Sequence, residues 1–486
     1  MIKKGTIHNF SLIITCRSNY IQELDRVACN YIILQPWNEG QIESFCAVYR
    51  VMAYDNVDIS ENTMSNILKN SAILGIPLIL YMVLALNISI EKEGSIVDVY
   101  DQIFSLNEGG IYERCIRNSS YEIPHRISDV KEQIHQISKK IAIWIFENEP
   151  EKECIKKSEY EEICDNVMQE NEEVKQDFLI GNFFMLVRHC EEIETKELHF
   201  IHRSIYEYFV AETIYSAMEK PMIELSDGSQ EKLASDIAIY LKRGQITNTI
   251  GEYLQFKILK LYSRLENEKK KRFYQWWETI VGKMISYGMF YYTGGNVRDY
   301  KNIIVKETQC FLNLLEILRL LIDVSEREYI MEDYEDRLYE KYIKHCLIEL
   351  EEISKKGKIY LNLSRLSLRK VNLAGMRLSM VNLSRANLSG KYLSGTTLEG
   401  ANLRGASLKG TILRKSDLSG VILIGADLND VDLGGAILKG VILDEEQIEY
   451  LNGKYDIHET KVYIEKKRKI ITSQGKGSSL YGLLAF

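Results

Sequence analysis

The sequence predicts a multidomain chain in which a largely helical region precedes a C-terminal solenoid of square cross-section. The chain has 486 residues, enough for roughly two to four domains. Residues 311–321 place apolar side chains at i, i+3, i+4 and i+7, the spacing of a helix with a buried face. Leucine recurs every five residues from Leu363 to Leu443, which is an internal repeat. The two periods therefore divide the chain into two kinds of structure.

The repeat contains seventeen leucines in register, and its period fits neither an α-helix nor a single β-strand. A small or apolar residue stands two positions before most of these leucines, and glycine stands two positions after many of them. We expect a solenoid that turns a corner every five residues, with the leucine and the small residue pointing inward and glycine easing the corner. The expected core positions are Leu383, Leu388, Leu403, Leu408, Leu428, Leu433, Ala401 and Ala426.

Blocks such as residues 401–405 and 426–430 resemble the pentapeptide-repeat family. The resemblance implies a right-handed quadrilateral β-helix with four repeats to a coil. The seventeen repeats then give about four coils, with a height of roughly 20 Å at the usual spacing of neighbouring strands. Residues 391–392 and 396–397 are less suitable at and beside the small inward position, so we expect a local distortion there. The repeat specifies a fold but not a function.

The composition is that of an ordinary globular protein, with 45% hydrophobic residues, 27% charged residues and a net charge of −8. This balance does not favour nucleic acid or anionic membranes as partners. The nine cysteines form no CxxC pair, so we expect neither a disulfide framework nor a zinc knuckle, and we expect reduced thiols in a cytoplasm. Residues 70–90 lack charge, but Pro77 interrupts them. We expect a buried helix pair broken at Pro77, with a membrane span as the alternative.

Four blocks in the N-terminal half resemble NACHT-type signalling NTPases, of the STAND class. They are residues 15–17, 34–37, 75–78 and 200–211, of which the last resembles the winged-helix signature of that family. The resemblance implies a partial α/β nucleotide-binding remnant ahead of helical and winged-helix regions. The expected domains are a NACHT core remnant at 1–30, a helical subdomain at 31–110, a winged-helix-like domain at 111–220, a helical linker domain at 221–355, the pentapeptide-repeat β-helix at 356–449 and a C-terminal cap or tail at 450–486.

The same resemblance implies three residues that contact a nucleotide. Arg17 corresponds to the sensor arginine at the terminal phosphate, a role that suits the always charged guanidinium fork. Pro77 would pack against adenine. His202 would donate a hydrogen bond to the β-phosphate of ADP in the closed state, as a latch and not as a catalyst. From the residues alone, the simpler interpretations are that Pro77 only turns a buried helix and that His202 only caps its own motif.

The chain departs from this family because it lacks a phosphate-cradling loop. No GxxxxGK[ST] sequence is present, and we recognise no acidic strand for magnesium. We therefore expect the chain to begin inside a nucleotide-binding domain, after its catalytic half, and not to hydrolyse ATP by itself. ATP or ADP with magnesium would bind only if a separate chain supplied the loop. HExxH and GxSxG motifs are absent, and Cys190, His199 and His202 lack the paired spacing of a zinc site, so we expect no metal.

The leading hypothesis is therefore the regulatory or sensor portion of a NACHT-like switch, whose β-helix binds a protein partner or trigger molecule. Bacterial members of similar architecture are linked to antiphage defence, which the resemblance implies for this chain, and a homo-oligomer is a further expectation. One alternative is an active ATPase switch completed by a separate chain. The other is a DNA-mimic pentapeptide protein acting on a topoisomerase. Residues 361–445 contain eleven Lys/Arg against seven Asp/Glu, which opposes such mimicry.

Overall fold

The computed structural model describes the helical region in separate segments and the β-helix almost throughout. The expected nucleotide-binding remnant at 1–30, with Arg17, lies outside the described residues. The chain divides into two compact units, Met1–Glu132 and Gln133–Phe486. The described residues are 37–52, 61–90, 95–107, 110–113, 127–148, 153–167, 185–189, 196–200, 202–242, 244–287, 300–322, 329, 343, 361–369, 371–452, 454–455 and 463–464.

Short helices build the first unit. They are α1 (Glu39–Met52), α2 (Glu61–Lys69), α3 (Ser71–Leu74), α4 (Pro77–Ala85) and α5 (Ile96–Ile103). Pro77 is the first residue of α4, where its missing N–H leaves no helical hydrogen bond unmade, and Ile79, Leu80 and Val83 are buried. The expected helix pair broken at Pro77 is confirmed. Among the helices that the structure describes, none is long and apolar enough to cross a membrane.

A small antiparallel sheet lies near the start of the second unit. Its strands are β1 (Ile155–Lys156), β2 (Met185–His189) and β3 (Lys196–Phe200), in the order β1-β3-β2. Leu198 pairs with Ile155 on one side and with Val187 on the other. Two helices precede the β2-β3 pair, namely α6 (Ile127–Asn148) and α7 (Lys157–Val167), of which α7 directly follows β1. The central strand is therefore β3, which is also the strand closest in sequence to the next helix.

The helices after the sheet form a bundle around α8. They are α8 (Arg203–Glu224), α9 (Asp227–Leu241), α10 (Asn248–Arg264), α11 (Asn267–Tyr287) and α12 (Tyr300–Leu321). α8 packs against α9 and α10, and its residues 204–211 are buried on all sides, as in a central helix. Asn313 of α12 is fully buried and donates to the carbonyl oxygens of Leu241 (2.8 Å) and Gly244 (2.6 Å). This amide fixes α12 against the connection between α9 and α10.

Residues 361–443 form the expected β-helix. Isolated β-bridges join residues twenty positions apart, as in the series at 362, 382, 402, 422 and 442, so one coil contains four five-residue repeats. All seventeen leucines of the repeat are buried. At the corners from Leu373 to Leu438, the N–H three residues after the leucine donates to the leucine carbonyl oxygen. The residue two positions after the leucine has a positive φ at most corners, as in a type II turn. The predicted solenoid with corners every five residues is confirmed.

The ladder between coils is interrupted at one place among the residues that the structure describes. Asn372 forms no β-bridge to Tyr392. Lys391 occupies the small inward position here, and its Nζ donates to the carbonyl oxygen of Val371 (2.8 Å). The distortion expected at 391–392 is therefore confirmed. The distortion expected at 396–397 is wrong, because residue 397 keeps its bridges to the coils on both sides.

The last coil is followed by two further elements. Strand β4 (Ile442–Leu443) ends the repeat, and α13 (Glu445–Asn452) follows it directly. Strand β5 (Tyr463–Ile464) returns to pair in parallel with β4, with Ile442 opposite Tyr463. The segment that follows the repeat thus adds a helix and one strand to the final coil.

Candidate functional site

Two adjacent faces of the β-helix carry basic residues and no acidic ones over the first three coils. Because equivalent repeats stack every twenty residues, residues 361–370, 381–390 and 401–410 form two adjacent faces over the first three coils. These repeats contain six Lys/Arg and no Asp/Glu. Five of the basic side chains are described, and all are exposed except Arg365, which is half-exposed. We call this group the basic edge, and its members are Arg365, Arg369, Arg385, Arg404 and Lys409.

Acidic residues concentrate in the fourth coil and directly after it. Residues 421–445 contain five Asp/Glu and a single basic residue, Lys439. Asp432 of this coil forms an ion pair with Arg414 of the third coil, with Nε and Oδ2 2.5 Å apart. This contact and the backbone N–H of Gly434 hold the pKa of the Asp432 carboxyl below its usual range, with the backbone hydrogen bond as the larger cause. The solenoid is therefore basic on two faces of its first three coils and acidic at its last.

Asparagine side chains hold the turns that carry the basic edge. The Oδ1 of Asn402 accepts from the backbone N–H of Arg404 (3.1 Å), and the Oδ1 of Asn382 accepts from that of Ser384 (3.1 Å). Asn382 also donates from Nδ2 to the Oδ1 of Asn362 in the coil before it (3.1 Å). These local bonds fix the backbone on which the arginines stand.

The first coil is joined to the helical bundle by α12. The guanidinium of Arg319 donates to the carbonyl oxygens of Ser364 (3.2 Å, from Nε) and Asn362 (3.1 Å, from a terminal nitrogen). Glu316 accepts from the Nδ2 of Asn362 (2.9 Å) and forms an ion pair with Arg319. The start of the β-helix is thus covered by two charged side chains of one helix.

The last coil is covered by side chains of α13 and the residues after it. The buried Gln447 donates from Nε2 to the carbonyl oxygens of Leu423 (2.6 Å) and Ala426 (2.9 Å). The Oη of Tyr455 donates to the carbonyl oxygen of Val431 (2.8 Å) and accepts from the N–H of Leu433 (3.1 Å). At Ala426, Val431 and Leu433, a further coil would have made such bonds with its backbone, so these side chains close the open end of the ladder.

Of the three residues expected to contact a nucleotide, the structure describes two, and these belong to different units. Arg17 lies outside the described residues, and Pro77 is exposed at the start of α4 in the first unit. His202 lies in the second unit as the N-cap of α8. Its Nδ1 accepts from the N–H of Ser204 (3.2 Å) and lies 2.5 Å from the Ser204 hydroxyl oxygen. An imidazole that accepts at Nδ1 carries its hydrogen on Nε2, the atom with which a latch would donate.

An ion network at the start of α8 was not indicated by the sequence pattern. Arg203 contacts Glu207 (Nε to Oε1, 3.1 Å) and Glu153 (2.9 Å). Glu207 is buried and also accepts from the hydroxyl of Thr247 (3.0 Å). Burial raises the pKa of the Glu207 carboxyl, while Arg203 and Thr247 act in the opposite direction. The network ties the segment before β1 to the start of α8 and to the N-cap of α10.

A cysteine, a glutamate and a histidine meet on one face of the small sheet. Ile155 pairs with Leu198, so the antiparallel register places Cys154 opposite His199. Glu197 and His199 are two residues apart on β3 and therefore point to the same face. One donor atom from each of Cys154, Glu197 and His199 lies within 4.8 Å of the other two. In the part of the chain that the structure describes, this is the group whose chemistry could hold a metal ion.

The residues expected to form the solenoid core lie inside the β-helix. Their side chains are at most 7% exposed, the value for Ala426. They belong to coils two, three and four, and each side chain stacks over its equivalents twenty residues away. The buried positions are Leu383, Leu388, Leu403, Leu408, Leu428, Leu433, Ala401 and Ala426.

Comparison with known proteins agrees with this geometry. Residues 362–400 and 401–440 match the family model of pentapeptide repeats in eight copies, and no curated protein matched the chain. The C-terminal region is a pentapeptide-repeat β-helix. These residues are fewer than half of the chain, so the match describes the solenoid and not the helical bundle.

Several solved structures are similar to parts of the chain. The protein alr5209, a pentapeptide repeat protein from Nostoc Pcc 7120, is 27% identical, with 24% of this chain and 95% of that chain covered and a TM-score of 0.21. Rfr23, a pentapeptide repeat protein from the cyanobacterium Cyanothece 51142, is 34% identical. The match covers 17% of this chain and 60% of that chain, with a TM-score of 0.14. QnrB1, a plasmid-mediated fluoroquinolone resistance protein, is 26% identical. The match covers 16% of this chain and 45% of that chain, with a TM-score of 0.08.

Proposed function

We propose that this chain is a protein-interaction module whose β-helix binds an acidic surface of a partner protein through the basic edge. The observation that carries the proposal is the charge of two adjacent faces, which have six Lys/Arg and no Asp/Glu over three coils. Complementary charge speeds encounter and fixes the orientation of a partner. The turns beneath Arg404 and Ser384 are held by side-chain hydrogen bonds, so little backbone freedom is lost on binding.

An acidic protein fits the charge distribution better than the other partners considered. A DNA mimic that occupies a topoisomerase would have to present negative charge, and the basic edge has the opposite sign. A nucleic acid would meet the acidic fourth coil as it continued along the solenoid, and the whole chain carries a net charge of −8. A protein partner can confine its acidic groups to the area of the basic edge.

The test reverses charge on the basic edge of the full chain. The variant R385E/R404E is compared with K439E, which makes the same kind of change at an exposed position of the fourth coil. Binding is measured to an immobilised Asp/Glu-rich peptide and, separately, to a short DNA duplex. We expect the double variant to bind the peptide about tenfold or more weakly and K439E to bind it like the natural chain.

Two results would overturn the assignment. Equal peptide affinity for R385E/R404E and the natural chain would remove the basic edge as the binding surface. Tighter binding to the duplex than to the peptide, lost in the same double variant, would replace the protein partner with a nucleic acid. Circular dichroism of each variant confirms that the β-helix is intact in the compared samples.

We also propose that the helical region is the regulatory portion of a NACHT-like signalling switch, with the β-helix as its sensor. This proposal is supported by the resemblance of residues 200–211 and by the sheet order β1-β3-β2 with α8 following, which suits a winged-helix domain at 111–220. The junction of Arg319 with the first coil would transmit a partner's binding to the bundle. A role in antiphage defence rests on the resemblance alone.

Nucleotide titration tests the switch proposal. The purified chain is expected to bind neither ATP nor ADP, because a phosphate loop is absent from its sequence. A complex with a separate chain that carries the loop is expected to bind ADP with magnesium. Micromolar binding by the chain alone would instead favour the active ATPase alternative. A loop-bearing chain that forms the complex but leaves ADP unbound would count against the switch.

A further inference from the structure

We propose that Cys154, Glu197 and His199 form a zinc-binding site on the face of the small sheet. The three side chains come from two neighbouring strands, one from the residue just before β1 and two from β3. Their donor atoms are a sulfur, a carboxylate oxygen and a ring nitrogen, all within 4.8 Å of one another. The Nε2 of His199 and the Oε2 of Glu197 are 4.0 Å apart.

The donor set selects the metal. Thiolate and imidazole together favour zinc, whereas magnesium and calcium take oxygen ligands. Zinc is bound at about 2.3 Å from sulfur and about 2.0–2.1 Å from nitrogen, so ligand atoms around a tetrahedral ion are roughly 3.3–3.7 Å apart. Side-chain rotations that move the donor atoms by about an ångström would bring them from their present separations to these distances. Three protein ligands leave a fourth position for water or another ligand.

The surroundings suit a bound cation. Cys154 is 3% exposed and His199 is 9% exposed, so two of the ligands are withdrawn from bulk water, while Glu197 remains partly accessible and provides a route of entry. Cysteine and glutamate together supply two negative charges to a divalent ion once the thiol is deprotonated. The register fixes the backbone of β1 against β3, so the site needs no large rearrangement.

Zinc at this site would link β1 to β3, and its ligand on β3 nearest to α8 lies three residues before His202. The strand β1 contains only Ile155 and Lys156, and a strand pair this short gains little from its backbone bonds alone. A metal that bridges the two strands would therefore stabilise their pairing. This proposal concerns the sheet alone and does not depend on the function proposed for the β-helix.

The test uses the full chain after removal of metal with a chelator. Zinc content is measured by mass spectrometry after zinc is added and the chain is desalted, and Co²⁺ is titrated as a spectroscopic substitute for zinc. We expect one zinc per chain and a sulfur-to-cobalt charge-transfer band that zinc abolishes. At a free zinc concentration about a hundredfold above Kd, we expect the melting temperature of the sheet-containing unit to rise by roughly 4 °C.

The variants separate this site from other cysteines. Cys154→Ser is expected to lose the charge-transfer band, and Glu197→Gln, which keeps the side-chain shape, is expected to weaken zinc binding by at least about tenfold. Cys164→Ser is the matched control, because Cys164 is also a buried cysteine and lies on α7, outside the cluster. A charge-transfer band that persists in Cys154→Ser, or zinc well below one per chain in the natural protein, would overturn the proposal.

Discussion

Arg319 occupies, with respect to Asn362, the place that the backbone of a preceding coil would hold. Within the β-helix, the carbonyl oxygen of Asn382 accepts from the N–H of Leu363 one coil earlier (2.8 Å). Asn362 is the equivalent residue of the first coil, and its carbonyl oxygen accepts from the guanidinium of Arg319 instead (3.1 Å). One side chain of the bundle therefore caps the edge of the β-helix and links it to α12.

We predict that Arg319→Met destabilises the first coil. The change removes two hydrogen bonds from a charged donor and leaves the carbonyl oxygens of Asn362 and Ser364 without them, which should cost about 2–3 kcal/mol. Hydrogen exchange of the full chain measures the effect coil by coil. The amide of Leu363 should lose more protection than that of Leu423, three coils further along.

Arg319→Lys and Arg369→Met serve as comparisons for this prediction. Lysine keeps the charge but cannot reproduce the planar fork, so an intermediate loss is expected. Arg369 is exposed, and its replacement should leave exchange in the first coil unchanged. Equal protection of Leu363 in Arg319→Met and the natural chain would show that α12 does not stabilise the solenoid.

We predict that Tyr455→Phe opens the other end. The Oη of Tyr455 bridges the carbonyl oxygen of Val431 and the N–H of Leu433, so the loss of one oxygen removes both bonds. The expected loss is about 1–2 kcal/mol in the free energy of unfolding, measured by chemical denaturation. Tyr392→Phe is the control, since Tyr392 is 60% exposed and should be neutral. A matching loss in both variants would contradict the capping role.

The β-helix could be predicted from the sequence because its information is local. Each five-residue repeat contains both its inward leucine and the residues of its corner. Even the distortion at Lys391 is visible in the sequence, as one unsuitable residue in the pattern. The contacts of Arg319 and Tyr455 could not be predicted in this way. They join segments whose separation in the chain follows no period, and nothing near Arg319 indicates that it faces a coil more than forty residues later.

The cluster of Cys154, Glu197 and His199 could not be predicted for the same reason, because it joins segments that no regular period relates. The possible metal ligands that are close in sequence are Cys190, His199 and His202. The strand register instead brings Cys154 next to His199, because β1 pairs with β3 across an intervening helix. His202 is turned away from that role and caps α8. Strand pairing decides which residues are adjacent in a sheet. The spacing of residues along the chain does not reveal that pairing.

We predict that Lys415→Gly stabilises the β-helix. Lys415 is a corner residue with φ of 56°, a left-handed conformation that costs a non-glycine residue roughly 1 kcal/mol or more, and its side chain is exposed. Glycine should therefore raise the melting temperature. The control is Lys409→Gly in the same coil, where φ is not positive and the added freedom of the unfolded chain should lower it. A decrease in both variants would contradict the strain assigned to this corner.

The helix cap and the proposed latch of His202 can be tested separately. As the N-cap of α8, its Nδ1 accepts from the N–H of Ser204, and asparagine can place an oxygen at the same position. His202→Ala should therefore destabilise the second unit by about 1 kcal/mol, whereas His202→Asn should be close to neutral. Thermal denaturation of the two variants tests the cap without any nucleotide.

ADP binding by the complex with a loop-bearing chain then tests the latch. A latch needs the Nε2–H of the imidazole, which asparagine lacks, so both His202→Ala and His202→Asn should bind ADP more weakly, by about tenfold for one lost hydrogen bond to a charged phosphate. Weakening in His202→Ala alone would assign the effect to the loss of the helix cap. Unchanged affinity in both variants would remove His202 from the nucleotide site and leave it only as the N-cap of α8.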